Sequence, residues 1–92
     1  MFTTINKIKN ADASKYIERL EQFEGSNFRA QWCYNEATDA HCYNIYSYRT
    51  LIAYVRPETG EMWLSAERFS NTTSRHASIV RAGFDAIDAS TR

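Results

Sequence analysis

Residues 43–64 read YNIYSYRTLIAYVRPETGEMWL, and the two interruptions in that run decide the fold. β-Branched and aromatic side chains dominate it, the residue types that fit a pleated, half-buried surface. Tyr48-Arg49 and Pro57-Glu58-Thr59-Gly60 cut the run twice, which predicts three antiparallel strands. In the second cut, Pro presets φ at the first corner and Gly supplies a left-handed residue at the end. Upstream, Phe28 to Tyr34 has the same character and adds a fourth strand. With Asn35 to Ala40 as its loop, Tyr34 pairs with His41 and Cys33 comes opposite Cys42.

Extending these pairings, with Ser47 against Thr50 and Arg56 against Glu61, assigns each strand residue to a face, because alternate residues point to opposite sides. One face then carries Leu51, Ala53, Val55, Met62 and Leu64, with Cys33, Cys42, Tyr46 and Tyr48 beside them. The other carries Ala30, Trp32, Tyr34, Tyr43, Ile45, Ile52, Tyr54 and Trp63. The assignment holds for unbroken ladders; one inserted residue exchanges the faces of a strand.

Helical periodicity flanks the sheet. Thr3-Thr4 before Ile5 and Ile8 predicts a short capped turn. Asp12 or Ser14 caps a longer helix reaching about Phe23, with Tyr16, Ile17, Leu20 and Phe23 on one stripe. Gly25-Ser26-Asn27 returns the chain to the sheet. Ser70 to Thr73 caps a second amphipathic helix marked by Ile79, Val80, Phe84 and Ile87. Gly83 lies inside it, which either weakens that helix or answers a close neighbour. The expected fold is α+β, a four-stranded antiparallel meander between an N-terminal and a C-terminal helix, with Leu51, Val55 and Leu64 buried beneath the helices.

The 92 residues include one Pro and three Gly, so a single domain spanning 1–92 is expected. Eleven basic and eleven acidic residues cancel, and no net field draws the molecule to nucleic acid or to an anionic membrane. No apolar run approaches the length a bilayer span requires, and MFTTINKIKN has no signal-peptide core. A cytoplasmic protein follows, without membrane partners. In a reducing cytosol Cys33 and Cys42 are expected as two thiols, although their pairing also suits a disulfide. A metal site on Cys33, His41 and Cys42 lacks a fourth ligand, and no cofactor motif occurs.

Two constellations are candidates for contact with a partner. Thr73, Ser74, Arg75 and His76 open the last helix, where free N–H groups and the positive dipole end favour an anion. Arg81 belongs with them if it shares their side. The competing reading has the hydroxyls as plain caps and Arg75 turned toward Glu67 or Asp85. Trp32, Tyr43, Tyr54 and Trp63 form the second set, either a stacking platform for bases or half of the core. Which face the helices cover decides between these. Catalysis is not expected: no nucleophile elbow or phosphate-cradling loop occurs, and His41 and Cys42, adjacent on one strand, point to opposite faces.

TTINKIKNA (Thr3 to Ala11), YNIYSYRTLIAY (Tyr43 to Tyr54), PETG with the following Trp63, and FSNTTSRHASIVRAG (Phe69 to Gly83) resemble a family of small proteins of unknown function encoded by bacteriophages and plasmids. The chain departs from that family at Arg49, where related sequences tend to carry Gly, and Arg does not suit positive φ. The resemblance implies a phage-type accessory protein in the cytoplasm of a bacterial host, binding a host protein or nucleoprotein complex, and an inhibitor of restriction or CRISPR defence is the class it brings forward. A nucleic-acid-binding module using the aromatic face and the basic helix start is the alternative. A second copy of the chain stays among the candidate partners.

Overall fold

The computed structural model describes residues 5–37, 40–65 and 71–90. In chain order it contains β1 (Asn6–Lys7), a 3₁₀ turn (Asn10–Asp12), α1 (Ala13–Glu18), β2 (Phe23–Glu24), β3 (Phe28–Asn35), β4 (Ala40–Ser47), β5 (Thr50–Arg56), β6 (Glu61–Leu64) and α2 (Asn71–Ser90). The strands lie in one sheet in sequence order. β3 to β6 form the expected antiparallel meander, with Tyr34 opposite His41, Cys33 opposite Cys42, Ser47 opposite Thr50 and Arg56 opposite Glu61.

The sheet has six strands rather than four, and it is mixed, because β1 runs parallel to β2. Both added strands are two residues long, too short to show any periodicity. They fall where helix was expected. Asn6–Lys7 is extended in place of the helical turn over Thr3 to Ile8, whose first two residues lie outside the described ones. α1 stops at Glu18 instead of running to about Phe23. Leu20 takes a left-handed φ of 55°, its N–H bonds the Ile17 carbonyl, and the Glu21 N–H reaches back to the Tyr16 carbonyl. This double closure normally uses Gly at the left-handed position, so a Leu there gave no stop signal. Asp12 stands at the N-cap position without a side-chain capping bond. α2 begins at Asn71, and the proposed cap Ser70 lies outside the described residues.

The turn between β5 and β6 is explained by its residues. Gly60 sits at φ +77°, and its N–H bonds the Arg56 carbonyl at 2.8 Å. In the two-residue turn the positive φ, 57°, falls on Tyr48 and not on Arg49.

Between β4 and β5 the register shifts at Ile45/Tyr46: Tyr46 faces Leu51, but Ile45 faces Ala53. Ile52 is the extra residue of a β-bulge, and both Ile52 and Ala53 are buried. The expected face assignment is corrected from that point on. Ala53 and Val55 turn to the side of Tyr43 and Ile45, followed by Met62 and Leu64, whereas Leu51, Tyr54 and Trp63 turn to the side of Cys33, Cys42 and Tyr46. Leu51 is accordingly not core, at 37 % exposure.

Both helices pack on the first of these faces. Its core holds Phe23, Phe28, Ala30, Tyr43, Ile45, Ala53 and Val55 from the sheet, with Ala13, Ile17, Val80 and Phe84 from the helices, and Leu64 is half-buried against it. α1 and α2 meet at Gly83. A Cβ there would lie 2.6 Å from Ile17 Cγ2 and 2.8 Å from its Cβ, so close helix contact explains this glycine. Among the described residues no helix is long and apolar enough to cross a membrane.

Candidate functional site

Among the described residues, three in-register rows run across the face of the sheet opposite the helices. Gln31, Asn44, Tyr54 and Trp63 form the central row across β3 to β6. Arg29, Tyr46 and Leu51 lie on one side of it, and Cys33, Cys42, Arg56 and Glu61 on the other. Alternation sends their side chains away from the core that the helices cover.

Flat, stacked groups dominate the face. The Tyr54 and Trp63 rings stack with centroids 5.3 Å apart and planes 24° from parallel, and Trp63 keeps 38 % of its surface exposed. The Arg56 guanidinium lies 4.9 Å above the Tyr54 ring, and that of Arg29 lies 4.8 Å above Tyr46. Such cation–π contacts hold both arginines against the aromatic rings of the surface. Tyr54 donates its hydroxyl to Glu61 Oε2, and acceptance by that carboxylate holds the phenol pKa above its ordinary value. Arg56 also pairs with Glu61 at 3.4 Å, an exposed contact that contributes little stability but fixes orientation.

At the hairpin end a hollow of about 650 Å³ opens on this face, lined by Cys33, Cys42, Asn44, Leu51, Tyr54 and Arg56 among others. Cys42 donates its thiol to Asn44 Oδ1 at 3.1 Å. Burial pushes the Cys42 pKa up, partly offset by Arg56. Among the described residues no group of three His, Cys, Asp or Glu could hold a metal ion.

The four aromatic candidates are not brought together. Trp32 and Tyr43 belong to the covered face, packed edge to face at 5.4 Å. Tyr43 is fully buried and donates to the Glu21 carbonyl at 2.6 Å, and Trp32 Nε1 donates to the Leu20 carbonyl at 3.0 Å. Burial holds the Tyr43 hydroxyl far above its ordinary pKa. Only Tyr54 and Trp63 stay on the open face.

The helix-start candidates divide as well. Ser74, Arg75 and Arg81 are exposed, and Arg75 makes no hydrogen bond or ion pair among the described residues. Six residues turn a helix by about 240°, which puts Arg81 on a different side from Arg75. Thr73 and His76 point inward and are buried. The His76 ring stacks flat on Phe28, centroids 4.4 Å apart. Its Nδ1 lies 2.7 Å from Ser47 Oγ, which is 3.0 Å from Thr73 Oγ1, and its Nε2 lies 3.3 Å from Asn10 Nδ2. Asn10 Oδ1 already accepts the Ser26 N–H, and Nδ2 donates to the Ser26 carbonyl. The Asn10 amide therefore turns its donor toward His76. The ring accepts at Nε2, donates at Nδ1 and is neutral. Burial lowers its pKa.

Gln31, Asn44, Arg29, Tyr46 and Arg56 were not singled out by sequence reading. The alternation of β3 and β4 already places the first four away from Trp32 and Tyr43. What was missing was the bulge that brings Tyr54 and Trp63 to them.

Residues 3–89 match the family described as a family of unknown function, DUF8033. No curated protein and no solved structure matches the chain.

Proposed function

The chain belongs to the DUF8033 family of unknown function, and we propose that it is a small non-enzymatic accessory protein that grips a protein partner through the open face of its sheet. One observation carries this reading: the Tyr54–Trp63 stack, flanked by Arg56, lies uncovered on the face opposite the helices. Trp, Tyr and Arg are the residue types that dominate interface hot spots. Here they are held by one another and lose little side-chain freedom on contact.

The phage- and plasmid-type context implied by the sequence resemblance makes host machinery the class of target, with restriction and CRISPR complexes foremost. The nucleic-acid reading keeps one specific support, since stacked rings beside two arginines also suit bases. Zero net charge weighs against it.

The test is capture from a lysate of a bacterial host, with and without nuclease and across a salt series, using the parent and Trp63→Ala. Loss of a hot-spot Trp typically costs about 2 kcal/mol or more, roughly thirtyfold in affinity. A Trp63→Ala protein that melts near the parent but loses its captured protein supports the reading. Undiminished capture by that variant sinks it. Capture that vanishes with nuclease and falls steeply with salt transfers the face to nucleic acid.

A further inference from the structure

We propose that Cys33 and Cys42 form a reversible dithiol–disulfide site on the open face, oxidised by a low-molecular-weight disulfide of the glutathione class. The two cysteines are direct cross-strand partners, both are free, and both are half-buried in the wall of the hollow. This goes beyond the binding reading and needs no partner.

The ladder fixes which kind of pair they form. The Trp32 N–H is turned away from β4, donating to Gln22 Oε1, and the Phe28 carbonyl likewise accepts from Gly25 on the β2 side. Polar groups of successive strand residues alternate in direction, so the odd-numbered residues of β3 face β4. The Tyr48 N–H on the Asn27 carbonyl agrees. Cys33 and Cys42 thus occupy a hydrogen-bonded position, where Cα atoms stand about 5.5 Å apart. That is within bridging range. Cβ atoms at such positions lie near the wide end of the roughly 4.5 to 5.5 Å cross-strand range, beyond the ~3.8 Å mean of disulfides. Closing the bond therefore draws the strands out of their relaxed spacing. Strained disulfides are the readily reduced ones, which suits a reversible site better than a permanent staple.

The chemistry balances within the pair and one named oxidant. A protein thiolate attacks one sulfur of the external disulfide, breaks its S–S bond and expels one thiolate. The second protein cysteine, as its thiolate, attacks the protein sulfur of the mixed disulfide and expels the other. Two electrons pass from the protein sulfurs to the external disulfide. The two protons released by the protein thiols end on the two departing thiols.

Oxidation also reaches the central row. Cys42 loses the proton it donates to Asn44 Oδ1, and Asn44 stands directly beside Tyr54 in the ladder.

The experiment equilibrates the folded, fully reduced protein with graded mixtures of oxidised and reduced glutathione. Alkylation and mass spectrometry count the thiols, and amide spectra follow Asn44, Tyr54 and Trp63. The expected result is a transient single glutathione adduct that resolves to a species two hydrogens lighter, with shifts at those three residues and full return in excess reduced glutathione. Cys33→Ser and Cys42→Ser each stop at the adduct stage. A persistent adduct on the parent, unreactive thiols, or a disulfide that survives excess reduced glutathione would each overturn the proposal.

Discussion

Trp32–Tyr43 and Tyr54–Trp63 are both cross-strand aromatic pairs, with ring separations of 5.4 and 5.3 Å, but they do opposite work. The first lies under the helices, and each of its polar tips ends on a backbone carbonyl of the loop after α1. The second lies in the open, and the Tyr54 tip meets an exposed carboxylate. Composition does not separate them. A buried polar tip must find a partner within the fold, which makes the first pair part of the tertiary structure. An exposed tip has water as an alternative and leaves its ring available to a partner.

The sharpest break of this comparison is Tyr43→Ala against Tyr54→Ala. Removing the buried ring should cost about 3 to 5 kcal/mol, enough to unfold many small domains. Removing the exposed one should cost about 1 kcal/mol or less. Denaturant titration of the two variants measures both, and equal losses would contradict helices covering only one face.

Gly83→Ala probes the helix layer that makes the difference. Intrinsic propensity favours Ala by about 1 kcal/mol, but its Cβ meets the buried, β-branched Ile17 at 2.6 Å. Overpacking at such a contact costs about 1 to 3 kcal/mol, so a net loss of stability is expected. A variant melting above the parent would mean that the helices are not in close contact there.

His76 sharpens the comparison from beneath the covered face. Its folded pKa is depressed by burial, so below the unfolded value of about 6.5 the unfolded chain binds the extra proton more readily. The stabilisation is complete above about pH 6.5 and is lost as pH falls through that value toward the folded one. Protonation also sets a donor at Nε2 against the Asn10 donor. Melting curves between about pH 7 and about pH 5, above most carboxylate titration, should show the decline, and His76→Gln should flatten it. A parent with a level profile would refute the buried neutral ring.

Much of the sheet was legible because its turns announce themselves. Pro57 and Gly60 fix one hairpin, and the pairings Tyr34–His41, Ser47–Thr50 and Arg56–Glu61 follow from counting. The bulge at Ile52 was not legible. Ile is at home in any strand, and the choice of burying Ile52 and Ala53 together belongs to packing rather than to local preference. That one residue decides which aromatics share the core face, so Tyr54 and Trp63 part from Trp32 and Tyr43. α1 was overextended because Leu20 adopts a conformation its side chain disfavours. The polar residue types of the helix start suit the surface, yet Thr73 and His76 face inward to Ser47. Hydroxyl and imidazole groups at helical spacing do not reveal which side the sheet will take.

The contact between Gly83 and Ile17 also sets an order of events. Each pairing from β2 to β6 joins neighbours in the chain, so those strands zip locally as they are made. The long helix that covers much of their apolar side comes last, and its contact with α1 closes a loop of more than sixty residues. During synthesis the apolar side of the sheet therefore has only α1 and the loop after it for cover until α2 emerges, and a chain halted before Asn71 leaves Phe28 and Ser47 without the His76 ring that packs on them. Apolar surface left open before that helix arrives is the kind that makes incomplete chains prone to aggregate.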